Sequence, residues 1–536
     1  MQQLFNIFSQ KTLKTKGLEK GFYRKRSHDA KLEWCEEFLT DEVGDWVVEP
    51  LELLKWLEAN PPLSVQQKQK PKANELEMGE IEGESLPELD SKGFDGLLVT
   101  AAQNNTEVNQ DALNALKRHA DENNLKLVVM PIYYNKNAFS AAVESEAERF
   151  SPSVTPYLLE NDAQALNGRL VIRSSAAVLP TAKLPVNKAM ELNTGEPSTL
   201  VASTKQQHKT LPRSPATGIR EAWTTGTVTT KNYIRGGAGA SAKREHVYGG
   251  IEYYLDADGL LMSRNLQYKN GYFLTFTDSA SPVEVMTLGD LHSERKDPNT
   301  WVKTLALVKS ASPSLLVVHD ILHFETASHH NRNDGKHLYA SRDKQVIDDL
   351  RQVIDDLNEL AWLAPVYVVE SNHNSALDNW LHDTNYNPKR DPRQAKLYYL
   401  LNWLVCDAID NGQDRATALQ VAFDNLDRFE EFPTLSDRVR FGSMDKAEVH
   451  CGVDFSQHGH KGQNGSAGNT NMFSKWLQPM VTGHTHSPAI IGETVTVGVT
   501  ASLNQGYNRG GASSWRQSHA VTFSNGFTQL LHVWAI

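Results

Sequence analysis

In the C-terminal half of the chain, short apolar runs recur, and each ends in a cluster of Gly, Asn, Asp or His. VEVMTLGDLH, SLLVVHD, VYVVESNHN, VDFSQHGH and LQPMVTGHTH all follow this pattern. Continuous apolar runs bounded by such clusters predict strands buried on both faces, as in a parallel sheet. Between them, WVKTLALVKS and KQVIDDLRQVIDDLNELAWL carry apolar residues at helical spacing. The repeated VIDDL places Ile347, Leu350, Ile354 and Leu357 at heptad-like positions. Two heptads are too few for a coiled coil, so the stripe is expected to pack on the sheet, with an oligomer contact as the alternative. In open α/β architectures ligands sit beyond the carboxyl ends of strands, so the five clusters are expected to converge on one place.

The N-terminal half reads differently. Residues 1–63 combine a basic arm with PLELLKWLEA, whose Leu51, Leu53, Leu54, Trp56 and Leu57 predict a small helical unit. Residues 64–90 have few apolar side chains and end in seven acids within sixteen positions, the composition of a linker. In 91–282, GLLVTAAQ, DALNALKRHADENN and LKLVVMPIYY predict strand, helix and strand, with the strands parallel. LNGRLVIRSSAAVLP and the Gly- and Thr-rich stretch 225–250 read as short strands and loops. GGIEYYLDADGLLMSRNL reads as a hairpin turning at Asp256-Ala257-Asp258-Gly259. The fold class is α/β, with an accessory α/β domain over 91–282 and a second domain over 283–536.

Composition narrows the function classes. The chain has 536 residues, 40% hydrophobic and 22% charged, which excludes a miniprotein, a fibrous repeat and wholesale disorder. A net charge of −11 argues against coating nucleic acid by bulk attraction, so any binding must be local. Three scattered cysteines, Cys35, Cys406 and Cys451, form no disulfide framework and point to a reducing compartment. No window is long and apolar enough for a transmembrane helix, and MQQLFNIFSQ lacks signal-peptide character, so a cytoplasmic location is expected. Histidine is the departure: fifteen of nineteen lie in the last 253 residues, a crowding that often marks metal chemistry, with a polar surface as the alternative.

The clusters in order are Gly289-Asp290-Leu291-His292, Asp320 after SLLVVH, Asn372-His373, His458-Gly459-His460 and Gly483-His484-Thr485-His486. This series resembles the calcineurin-like metallophosphoesterases, whose signature is D-x-H, GD, GNH(D/E), a lone His and G-H-x-H at successive strand ends. The resemblance covers 283–536 and implies a four-layer αββα sandwich holding two divalent ions, manganese or magnesium. It assigns Asp290, His292, Asp320 and His486 to one ion and Asp320, Asn372, His458 and His484 to the other, with Asp320 as the bridge. His373 would contact the phosphate and protonate the leaving oxygen. His460 competes with His458, and the family's His-Gly pair favours His458.

The sequence also departs from that pattern. His319 stands where the family has Gly, His323 where many members have a second acid, Ser371 where Gly is usual, and Asn374 where an acid follows the motif histidine. Loss of that acid predicts a weaker proton donor at His373. The group His323, Glu325, His329, His330 and His337 matches no known coordination spacing and reads as a solvated polar loop, with an extra metal site as the alternative.

Three features lean toward DNA as substrate and partner. From Lys11 to Lys31, eight cations face Glu19 and Asp29, a net +6, with Phe22 and Tyr23 embedded. KNYIRGGAGASAKREH adds Lys231, Arg235, Lys243 and Arg244 among small residues. Finally, LLVTAAQNN, LKLVVMPIYYN and GYNRGGASSWRQSHAVTFSNG resemble the pre-early DNA-transfer proteins of T-five-like phages, implicated in host-DNA degradation and phage DNA transfer. That resemblance implies a phage-encoded, two-metal nuclease in the host cytoplasm or peripheral to the inner membrane. Its implied partners are DNA, a second phage DNA-transfer protein and further copies of itself. The alternatives are a small-molecule phosphodiesterase or phosphatase, and a non-catalytic regulatory protein that binds DNA or a partner on a degenerate phosphoesterase fold.

Overall fold

A computed structural model describes residues 86–134, 149–193, 197–213, 220–276, 282–327, 335–383, 392–413, 417–429, 431–505 and 510–533, with a few isolated positions besides. The helical unit expected over 1–63, the basic arm from Lys11 to Lys31 and most of the expected linker lie outside these residues. The last residues of that linker belong to the folded unit, which begins at Leu86. Leu89 N–H donates to the Gln164 carbonyl at 2.7 Å there.

The described unit is mixed α/β with three sheets. A six-stranded sheet runs, edge to edge, Val439–Phe441, Val366–Val368, Leu315–Val318, Val283–Thr287, Ser518–Phe523 and Thr528–His532. Its first four strands are parallel and its last two antiparallel. The apolar runs are continuous because both faces are covered. Leu316 and Val318 pack with Val346, Leu350, Ile354 and Leu357 of the helix Val346–Leu363. The alternating Leu315 and Val317 pack instead with Trp223, Val481 and Val495 from a ten-stranded sheet and Leu97 and Val99 from a five-stranded one. The VIDDL stripe is therefore core, apart from the partly buried Ile347. Asp297 caps the preceding helix Pro298–Ala311 by accepting the Thr300 N–H, and Pro298 fits the first turn.

A five-stranded sheet has the order Tyr272–Leu274, Leu261–Lys269, Gly249–Leu255, Gly96–Gln103 and Leu125–Ile132. It contains the expected parallel pair, crossed over by the helix Gln110–Glu122, and the expected hairpin. The hairpin turn is tied by Asp256 Oδ1, which accepts the N–H groups of Asp258 and Leu260. The stretch 225–250 departs from its reading as strands and loops, because Gly237–Arg244 is helical. Its three alanines and its C-terminal Lys243 and Arg244 favour a helix that the glycines had masked.

The third sheet crosses the boundary drawn between 282 and 283. It runs Val449–His450, Val453–Asp454, Met480–Thr482, Thr494–Thr496, Ala489–Ile491, His208–Leu211, Arg220–Thr224, Ser198–Val201, Leu170–Arg173 and Ala163–Ala165. Ile490 pairs with His208, so strands from both stretches form one ladder. Where the two stretches meet, Glu221 is buried with the Arg516 guanidinium. It also accepts from Trp223 Nε1 at 3.1 Å and Ser263 Oγ at 2.5 Å, and faces His532 at 3.2 Å.

Candidate metal centre

The five polar clusters follow the strands Val283–Thr287, Leu315–Val318, Val366–Val368, Val453–Asp454 and Met480–Thr482. Beyond the strands, the first two loops stay paired. The N–H groups of Leu291, His292 and Ser293 donate to the carbonyls of His319, Asp320 and Ile321 at 3.0, 2.7 and 3.0 Å. Gly483 N–H donates to the His458 carbonyl at 2.7 Å, and His484 N–H to Asp290 Oδ2 at 2.8 Å. Gly483 is required by close approach, since a Cβ there would lie 2.2 Å from Asp290 Oδ1. His292, Asp320, His484 and His486 all adopt left-handed backbone, with φ of 45°, 43°, 76° and 56°. Such strain costs about 1–3 kcal/mol per residue and persists only where surrounding contacts over-determine it.

These loops bring the predicted side chains together. Asp290, His292, Asp320 and His486 present one donor atom each within 4.8 Å of one another, and Asp320, His458 and His484 do the same. Asp320 belongs to both groups. His486 Nε2 lies 3.2 Å from Asp290 Oδ2 and 3.0 Å from His292 Nε2. His458 Nε2 lies 3.1 Å from Asp320 Oδ2, and His460 stands behind it with ring centroids 5.4 Å apart. His373 is half-buried, its ring 4.6 Å from that of His292 and its backbone N–H directed at Asp320 Oδ1 at 3.3 Å.

A divalent ion fits this donor set. Asp290 Oδ1 and Asn372 Oδ1 are buried, and no donor reaches them in hydrogen-bond geometry, while the buried Asp320 Oδ2 faces His458 Nε2 at 3.1 Å. Leaving such oxygens unpaired is costly, and a cation would satisfy them. Two imidazole nitrogens 3.0 Å apart have the spacing of adjacent ligands on one ion with bonds of about 2.1 Å. Carboxylate, amide and imidazole donors without a thiolate suit manganese, magnesium or zinc.

Electrostatics agrees with that chemistry at His292, His484 and Asp320, whereas at His458 the Asp320 carboxylate favours the protonated ring until a cation takes its place. Burial, reinforced by His373 and His486, holds His292 well below the usual imidazole range, and burial and His458 lower His484. Both are therefore neutral near pH 7, the form that ligates. Burial raises the Asp320 carboxyl, but His458, His373 and His292 outweigh it and hold Asp320 well below the usual carboxylate range. Burial lowers His458, but Asp320 outweighs it, and the net shift is upward.

A second ring of histidines supports the first. His319 Nδ1 lies 3.3 Å from His458 Nδ1, and His323 Nδ1 lies 3.2 Å from His292 Nδ1. Were a cation held at Nε2 of His458 and His292, their Nδ1–H groups would donate to these neighbours and fix both ring orientations. Burial, aided by His458, holds His319 at about 4; burial, aided by His373, holds His323 at about 3. His519, which the motif order did not indicate, accepts the Gly289 N–H at 2.9 Å through Nδ1 and reaches Thr304 Oγ1 at 2.8 Å through Nε2. The histidine excess was its one signal in the sequence.

The expectation of a solvated loop around His323 is corrected. His323 and Glu325 are buried, the first against His292 and the second paired with Arg295. The sequence reading failed there because burial came from contact with a distant loop. His329 and His330 lie outside the described residues, as does the side chain of His337.

No family model matches the chain. Protein A1 of Escherichia phage T5 is 32% identical over an alignment of 546 residues that covers 95% of each chain. This chain belongs to the Protein A1 family. The match spans both the histidine-rich half and the stretch before it, so the family relation is that of the whole chain and places it among phage proteins. A solved crystal structure matches 47% of this chain and 99% of its own at 10% identity, but its TM-score of 0.24 is too low to bear on the fold. Among the described residues, no helix is long and apolar enough to cross a membrane.

Proposed function

We propose that this member of the Protein A1 family is a two-metal phosphodiesterase that hydrolyses DNA, built on a metallophosphoesterase sandwich and acting in host-DNA degradation and phage DNA transfer. The observation that carries this reading is the sharing of one buried carboxylate, Asp320, between two donor groups. A bridging carboxylate is what a two-ion site needs, and such sites clamp the attacking and leaving oxygens of an in-line displacement at phosphorus.

Asp290, His292, Asp320 and His486 would hold one ion, and Asp320, Asn372, His458 and His484 the other. Manganese or magnesium bound there would supply Lewis acidity and lower the pKa of water. The chain's own residues do the rest. His319 and His323 orient two ligand rings, and Gly483 leaves room for the Asp290 carboxylate. His373, half-buried beside His292, directs its ring to the phosphate. As a water oxygen bonds to phosphorus, giving up a proton to solvent, and the P–O bond to the leaving group breaks, the His373 proton passes to the departing oxygen.

The test incubates purified chain with linear DNA, circular DNA and a chromogenic phosphodiester, with manganese or with chelator. Manganese-dependent cutting of DNA and of the ester is the expected result. Cleavage of the ester with no cutting of either DNA overturns the nuclease reading in favour of a small-molecule phosphodiesterase. No turnover of any substrate, with metal analysis showing an empty site, overturns catalysis and leaves a regulatory protein.

A further inference from the structure

Outside the metal centre, two adjoining cavities of about 580 and 280 Å³ share Arg244, Glu245, Gly492 and Glu493. Lys183 and Lys475 line the larger, Lys231 and Lys269 the smaller, and Arg244 both. Both acids are already engaged. Glu245 Oε2 accepts from the buried Lys205 Nζ at 2.9 Å, and Glu493 Oε1 from Lys269 Nζ at 3.0 Å. Lys183, Lys231, Arg244 and Lys475 are exposed and have no carboxylate partner among the described residues. A chain of net charge −11 thus carries a groove with a cationic surplus.

The groove lies at the far ends of the strands that feed the metal centre. Val453 and Pro479 border it, at the start of Val453–Asp454 and just before Met480–Thr482, whereas His458 and His484 follow those strands. At about 3.3 Å per residue, that offset is roughly 10 Å or more, too far for one phosphate group to reach both places. Leu477, 63% exposed, lines the larger cavity beside Lys475.

We propose that this groove binds the phosphodiester backbone of DNA at a stretch remote from the bond that is cut. The inference rests on the proposed function for its substrate class but not on turnover. Spaced cations without fixed partners match a polyanion better than a single compact anion, because each phosphate neutralised releases counterions independently. Lys231 and Arg244 come from the basic, glycine-rich stretch, and the helix Gly237–Arg244 places Arg244 at its C-terminal end.

The test measures binding of the full chain to a short fluorescein-labelled DNA duplex by anisotropy, in chelator, across a salt series. The combined variant Lys231→Glu, Arg244→Glu, Lys475→Glu is expected to bind at least tenfold more weakly. Its plot of log affinity against log salt flattens by about 0.9 for each phosphate that the variant no longer neutralises. The corresponding Gln variant gives a smaller shift in the same direction, and both hydrolyse a chromogenic phosphodiester at the wild-type rate. Unchanged affinity and slope in a variant with wild-type melting temperature overturn the groove, as does failure of the wild-type chain to bind DNA at low salt. If the wild-type chain binds DNA and the groove variants bind it weakly, while no substrate is cut with manganese, the hydrolytic reading falls and the groove stands.

Discussion

The Asp290 carboxylate accepts the His484 N–H at 2.8 Å, joining the first and last polar clusters across 194 residues. The contact exists because Gly483 has no side chain. In Gly483→Ala the added Cβ would lie 2.2 Å from Asp290 Oδ1 and 3.2 Å from His319 Cγ, so the carboxylate or the loop must move. The expected outcome is loss of most bound manganese by elemental analysis, with the circular dichroism of the sheets retained. Full metal content in the alanine variant would refute the close approach as a requirement.

The His319 imidazole backs His458 at 3.3 Å. Removing a group that orients a metal ligand costs about 10- to 100-fold in metal affinity or activity. His319→Ala is therefore expected to weaken manganese binding by that factor in competition with a chelator dye. His319→Asn, which retains an acceptor, should recover part of it. Equal affinity in wild type and both variants would show that His319 only fills space.

The strand-end clusters were legible because continuous apolar runs and their polar ends are local features, as are the Asp256 turn and the amphipathic helix Val346–Leu363. Contacts made over long sequence separations left no such trace. Ile490 pairs with His208, and Glu221 meets Arg516, so the boundary drawn at 282/283 follows a change in sequence texture rather than an edge of the sheet. The histidines around His323 match no coordination spacing and so suggest a solvated loop, yet the burial of His323 comes from His292 on another loop. His519 sits in an ordinary strand pattern, and nothing in that pattern shows that its ring holds Gly289.

His373 belongs to neither group that shares Asp320, although its backbone N–H reaches the Asp320 carboxylate. His373→Gln should therefore keep manganese at the two groups that share Asp320, whatever it loses at the separate group His292, His323 and His373, while the turnover of a phosphodiester falls. A general acid typically contributes about 10²- to 10⁴-fold, and the fall should be smallest for esters with good leaving groups. Equal losses across leaving groups would remove His373 from the proton-donor role.

Glu221 and Arg516 form a buried charge pair between the stretch 91–282 and the C-terminal segment. Arg516 also donates its backbone N–H to the His486 carbonyl at 3.0 Å, which couples the pair to the candidate centre. Breaking a buried pair from one side leaves an uncompensated charge and costs about 3–5 kcal/mol, whereas removing both partners costs less. Glu221→Gln and Arg516→Met should each lower the melting temperature sharply, and the double variant should melt at a higher temperature than the sum of the two single losses predicts. Strict additivity would mean that the two side chains do not stabilise one another.

His519 supplies a pH test of the fold. Burial holds its imidazole at about 3, far below the ordinary value of 6.5, so it remains neutral in the folded chain. Below pH 6.5 the unfolded chain binds a proton that the folded chain does not. The stabilisation from neutral His519 is therefore fully present above pH 6.5 and is lost as pH falls toward 3, at about 1.4 kcal/mol per pH unit. His519→Gln removes this titration and weakens the bonds to Gly289 and Thr304, so at pH 7.5 it should be less stable than wild type by about 1–3 kcal/mol. The gap in melting temperature should then narrow between pH 6.5 and 4.5, because only the wild-type chain carries this proton linkage. A gap that stays constant over that range would mean that His519 is already protonated in the folded state or titrates alike in both states.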